Sequence, residues 1–157
     1  MKHTKYLLSI VMTFCLLLAG CSQGGSVKEF EPDALAKEIT SKLQFEDQLE
    51  AIDENVIYTL YTIDKEQIDK AVVYMGSGAT SEEIAVFKAK DAAYMDSIKE
   101  ALQKRVANKK KDFEDYMPEQ MPKLDKPVIV TKGNYAVLCI SGNDSDAQKL
   151  IDDYMKA

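Results

Sequence analysis

A chain of 157 residues with 46% hydrophobic content and a net charge of −6 is long enough for one domain with a real core. Twenty basic residues against 26 acidic ones argue against nucleic acid as a partner and against broad electrostatic adhesion to anionic lipid. Tryptophan is absent and histidine occurs once, at His3, so nearly all of the chain lacks the commonest general base and metal ligand.

Lys2 and Lys5 precede an apolar run over residues 6–18, broken only by Ser9 and Thr13. A basic start and a short apolar core ending in small residues form a secretory signal, too short for a comfortable membrane span. Its last residues, Leu18-Ala19-Gly20-Cys21, resemble the lipobox of bacterial lipoproteins. That resemblance implies cleavage between Gly20 and Cys21 and a diacylglyceryl group on the Cys21 thiol, with palmitate as a label for acylation. Each buried methylene contributes about 0.8 kcal/mol, so two chains anchor stably where one holds only marginally. The expectation is a protein on the extracytoplasmic face of the cell membrane, with residues 1–20 removed as signal. The mature chain would carry 18 basic and 26 acidic residues, a net charge of −8. His3 and Cys15 would leave with the signal. Cys139 would then be the one free thiol, and its apolar neighbours Val137, Leu138 and Ile140 mark it as a core residue rather than a reactive one.

Residues 21–32 read as the lipidated cysteine and a flexible linker, with Ser22-Gln23-Gly24-Gly25-Ser26 as a polar tether. Residues 33–157 read as a single globular domain. Pro32 and Asp33 open a helix whose face is Leu35, Ile39 and Leu43, ending near Gln44. A second helically spaced series, Phe45, Leu49, Ile52, Val56 and Leu60, is out of phase with the first. Residues 56–62 are β-branched and aromatic enough for a strand, and helix is the reading taken. Residues 68–75 predict a strand with Val72 and Tyr74 on one face and Ala71, Val73 and Met75 on the other. Gly76-Ser77-Gly78 closes it, and residues 83–88 predict another strand despite the capping-box spacing of Thr80 and Glu83. Asp91 caps a long helix over residues 92–117, with Met95, Ile98, Leu102, Val106, Phe113 and Met117 on one face and Pro118 and Pro122 as its stop. Residues 128–131 and 135–141 form a hairpin around Gly133-Asn134. A last amphipathic helix carries Ala147, Leu150, Ile151 and Tyr154. The fold class is α+β: a small, mainly antiparallel sheet covered by helices.

Few side chains carry a chemical signal. The glycine-rich stretch at residues 75–80 lacks the Gly-Lys-Ser/Thr and following helix of a phosphate loop, so it reads as a flexible connection. Ser77 and Ser81 lie near Lys88 and Lys90 in sequence, a conceivable Ser-Lys arrangement with no fixed spacing. Asn143-Asp144-Ser145-Asp146 lacks the glycine and glutamate of a calcium loop, and Asp144 and Asp146 read as turn and helix-capping residues. Lys104, Arg105, Lys109, Lys110 and Lys111 form the basic cluster, read as a solvated helix face, with contact to anionic lipid or wall polymer as the alternative. Tyr58, Tyr61, Tyr74, Tyr94, Tyr116, Tyr135 and Tyr154 are mostly placed at core edges, with a stacking platform for sugars as the alternative. No catalytic residue, metal ligand or cofactor is assigned.

Three runs, "YTIDKEQIDKAVVYMGSGATSEEIAVFKAKD", "KKDFEDYMPEQMPKLDKPVIV" and "KGNYAVLCIS", resemble a family of uncharacterised bacterial lipoproteins, mostly of clostridia-like Gram-positive bacteria, with one domain of unknown function. The likeness covers about residues 33–155. It implies a lipid-anchored, extracytoplasmic α+β domain and supplies no catalytic motif. The functional expectation is a non-enzymatic module binding a protein partner or small ligand, held to the membrane by its anchor. The alternatives are an envelope hydrolase or transferase using Asp, Glu, Lys or Ser, and a structural component of an envelope complex.

Overall fold

A computed structural model describes residues 27–156. The signal segment, Gly20, Cys21 and the tether at residues 22–26 lie outside the described residues.

Helix α1 (Pro32–Lys42) starts with proline in its first turn, carries Asp33 there, and ends with Lys42, charges that complement the helix dipole. Leu35, Ala36 and Ile39 are its buried face. The chain then departs from the expected second helical series. Residues 43–49 are irregular and lead into a two-residue strand, β1 (Glu50–Ala51). Phe45 and Leu49 pack on one core cluster and Ile52 on the other, so their spacing serves two separate faces and not one helical stripe. Helix α2 (Glu54–Tyr61) begins where the Asp53 side chain accepts from Asn55 N. That cap decides the helix-or-strand question over the β-branched composition.

Strands β2 (Ile68–Met75) and β3 (Glu83–Ala89) follow. Asp91 accepts from Ala93 N and caps a 3₁₀ turn, Ala92–Tyr94, which runs into helix α3 (Met95–Phe113). The expected helix through residue 117 therefore stops at Phe113. Pro118 and Pro122 sit in the first turns of another 3₁₀ turn, Pro118–Gln120, and of helix α4 (Met121–Asp125), where a missing N–H costs nothing. They start short helices, and the long one has already ended at Phe113. Strands β4 (Val128–Lys132) and β5 (Tyr135–Ile140) form the expected hairpin, with Gly133 at φ 58°. Helix α5 (Asp144–Tyr154) completes the order; its cap is Asn143, whose side chain accepts from Asp146 N at 3.2 Å, not Asp144 or Asp146.

The five strands pair antiparallel in the order β1-β2-β3-β5-β4, and the fold is α+β. Alternation along the strands feeds two cores. Val73, Ala85, Phe87, Ala136 and Leu138 face α2, α3 and α4, together with Ile57, Ile98, Leu102 and Leu124. Ile84, Val86, Val137 and Cys139 face α1 and α5.

The sheet has two distinct ends. At the hairpin end, Val27 bridges to Lys156 and lies against the β4–β5 turn, where a Cβ at Gly133 would stand 3.2 Å from Val27 Cγ2. Phe30 stacks on Tyr135 with ring centroids 4.1 Å apart. The Tyr135 hydroxyl accepts from Phe30 N at 3.1 Å and donates to Phe30 O at 3.0 Å. Val27 and Phe30 thus pack on the hairpin end of the sheet. At the other end, Met75, Glu83 and Ile140 stand in register, and four irregular segments converge.

Candidate functional site

Strand β3 begins at Glu83 with Glu82 immediately before it, and the two adjacent carboxylates point to opposite sides. Glu82 and Glu83 are 1% and 0% exposed, a burial that carboxylates tolerate only when paired. Glu83 shares the face of Ala85 and Phe87. There the Arg105 guanidinium grips it with Nε at 3.0 Å and Nη2 at 2.6 Å, Lys109 Nζ reaches it at 2.7 Å, and the Tyr61 hydroxyl donates to it. Burial alone would raise the Glu83 pKa, but the hydrogen bond from Arg105 and the charges of Lys109 and Arg105 hold it below the ordinary carboxylate value. Burial pushes the Lys109 ammonium below its usual value, against the pull of Glu83. Burial and the adjacent Glu83 charge hold the Tyr61 phenol well above its usual value.

Glu82 organises the loops on its own side. One carboxylate oxygen accepts from Glu46 N at 2.8 Å and Asp47 N at 3.2 Å. The other accepts from Lys123 Nζ at 2.9 Å, and Lys123 also reaches Glu46 at 2.9 Å. Gln120 accepts from Ser81 N at 3.1 Å and donates to Glu46 at 3.2 Å. Three separate stretches, residues 43–47, 81–83 and 118–125, are thereby tied into one polar cluster.

The basic cluster is not the uniformly solvated face its composition implies. Arg105 and Lys109 are buried while Lys104 and Lys111 are exposed. The reason is helical phase: Ile98, Leu102, Arg105 and Lys109 follow at spacings of four, three and four, so both cations lie on the inward stripe. The sequence carried a signal of this. The apolar stripe has a seven-residue gap between Val106 and Phe113, and a position in that gap must face the core.

The other candidates are dispersed. Ser77 Oγ donates to Asp47 at 2.7 Å, and Ser81 is buried on Gln120. Lys88 pairs with Glu29 at 2.6 Å and Asp69 at 3.2 Å, and Lys90 with Glu66 at 3.7 Å, so no Ser-Lys pair forms. Cys139 is buried, its thiol pushed up to about 12, far from the thiolate range that reactivity requires. Tyr61 and Tyr135 are fully buried, not at core edges, whereas Tyr116 is 77% exposed. Among the described residues, no group of three or more His, Cys, Asp or Glu side chains is placed to hold a metal ion. No helix among them is long and apolar enough to cross a membrane.

Open space gathers at this same end. A cleft of about 560 Å³ runs between Leu43, Phe45, Glu46, Glu82, Asn143 and Asp146. A narrower one, about 140 Å³, lies between the glycine loop and α3, and Gly76, Gly78, Thr80, Glu82, Arg105, Lys109 and Asp112 are among the residues that line it.

An antiparallel five-stranded sheet between two helical layers, closed at one end by buried ion pairs, defines the class of domain. The chain belongs to the family described as "Domain of unknown function (DUF4358)", whose model matches residues 41–141. That span runs from the last turn of α1 through β5 and includes Glu82, Glu83, Arg105, Lys109 and Lys123. No curated protein and no solved structure matches the chain.

Proposed function

We propose that this protein is a lipoprotein anchored through Cys21, whose extracytoplasmic domain binds a partner or small ligand at the end of the sheet farthest from the anchor. The anchor rests on the lipobox run Leu18-Ala19-Gly20-Cys21 and the signal before it. The binding role rests on one geometric observation. The tether enters the domain at Val27, against the β4–β5 turn, whereas the clefts open around residues 43–46, 76–82 and 142–146 at the opposite end. Strand β3 spans the two ends with seven residues, about 23 Å at roughly 3.3 Å per residue. An anchored domain then holds its clefts clear of the headgroups.

The binding reading is preferred to catalysis because the buried carboxylate and thiol are each held in one protonation state. Glu83 is held ionised by Arg105 and Lys109, and the Cys139 thiol is held protonated. Labelled palmitate supplied to expressing cells tests the anchor: the full chain is expected to incorporate it and fractionate with membranes, and Cys21→Ser to lose both. Retention of the label by Cys21→Ser, or its absence from the wild type, overturns the anchoring.

A further inference from the structure

The two cations that hold Glu83 outnumber it. Glu83 contributes one negative charge, Arg105 and Lys109 two positive ones, and both cations are buried. A guanidinium carries five N–H donors and an ammonium three. Glu83 takes Nε–H and one Nη2–H of Arg105 and a single Nζ–H of Lys109. Arg105 Nη1 and the remaining Nζ protons meet no carbonyl or carboxylate among the described residues. Among the described residues no fully buried side-chain nitrogen or oxygen lacks a partner, so Arg105 Nη1, which has none, reaches open space. That space is the cleft of about 140 Å³, which both cations line.

The other walls fit the same ligand. Gly76, Gly78 and Thr80 form the far side; Gly78 puts no side chain into it, while Gly76 packs against the Asp47 carboxylate, 2.5 Å from where a Cβ would stand. Gly78 has φ 96° with nothing within 4 Å of a built Cβ, so the loop is open over the cleft. Two carboxylates also line it. Glu82 is engaged by Lys123 and the amides of residues 46 and 47, and Asp112 is exposed to water and screened.

We propose that this cleft binds a small oxyanion group, a carboxylate or phosphate, between the Gly76–Thr80 loop and the Arg105–Lys109 pair. It deepens the reading of the domain as a ligand-binding module, and names the chemistry of one subsite at the anchor-distal end. A cleft of this volume takes a group of a few heavy atoms, at about 30 Å³ per water-sized unit. Bidentate recognition of a planar or tetrahedral oxyanion is the task to which a partly occupied guanidinium is suited.

The test is an amide chemical-shift titration of the full chain in detergent micelles, with inorganic phosphate and, separately, acetate as probes, against sodium chloride at matched ionic strength. The expected result is a saturable shift at the amides of Gly76, Gly78 and Thr80 with at least one probe. The arm that saturates at the lower concentration tells phosphate from carboxylate. Lys109→Met is expected to raise the half-saturating concentration at least tenfold, and Lys109→Arg to restore it. Should Lys109→Met not fold, the wild-type titration still decides. Absence of a saturable shift, an equal response to sodium chloride, or an unchanged titration in folded Lys109→Met overturns the site. None of these outcomes touches the anchoring, which palmitate labelling reads separately.

Discussion

The two ends of the sheet solve the same problem by different means. At the hairpin end the buried contacts are apolar or neutral, Phe30 on Tyr135 and Val27 against Gly133, and the ion pairs of Lys88 with Glu29 and Asp69 lie outside them with partly exposed partners. At the opposite end the closing contacts are charged. Glu83 is buried against Arg105, Lys109 and Tyr61, and Glu82 against Lys123 and the backbone of residues 46 and 47. Apolar packing tolerates the loss of any one partner in proportion to the area lost. A buried ion cluster does not, because removing one member leaves the others charged and unpaired. The comparison therefore predicts brittleness at the end where the clefts are.

The largest effect is expected from Glu83→Ala, which strands Arg105 and Lys109: a loss of about 3–5 kcal/mol, read as a lower urea midpoint with an unchanged slope. A loss under about 1 kcal/mol would mean that water already screens the pair. Next comes Tyr135→Phe at the hairpin end. It keeps the ring stack and leaves the buried N–H and C=O of Phe30 without their partner, for about 1–3 kcal/mol. Gly133→Ala should cost about 1–2 kcal/mol, because a side chain disfavours the positive φ and its Cβ would crowd Val27. Thermal unfolding of the three variants side by side ranks the ends directly.

How much of this was legible in the sequence differs along the same line. Strands β2 and β3, the hairpin, and the assignment of Val72 and Tyr74 to one face and Val73 and Met75 to the other followed from period-two alternation, since each core is apolar and local pattern suffices. The helix start at Pro32 and the cap at Asp91 followed from cap chemistry. What periodicity could not deliver is the pairing of charges distant in sequence. Glu83 lies 22 residues from Arg105, and Glu82 lies 41 from Lys123. A lysine on an inward stripe looks like a solvated one until its partner is known. The misreading of residues 43–52 has a related cause: Phe45 and Ile52 share a helical spacing but serve opposite faces of the sheet. Of the candidate site, the glycine loop and the basic cluster with Arg105 and Lys109 were visible in sequence, and the burial of those two cations and their carboxylate partners were not.

The sign of the pH dependence follows from the direction of the Glu83 shift. A carboxyl held below its ordinary pKa of 4.5 in the folded state contributes stability that is fully present above that value and lost as pH falls through the folded pKa. Removing the carboxylate should therefore matter most near neutrality and least in acid. The decisive measurement is the stability difference between the wild type and Glu83→Gln, by urea unfolding at steps from pH 7 down to pH 3. A gap of about 3 kcal/mol at pH 7 that narrows steadily below pH 4.5 is the predicted result. A gap that stays constant across that range would contradict it, and would assign the closed end of the sheet to packing rather than to charge.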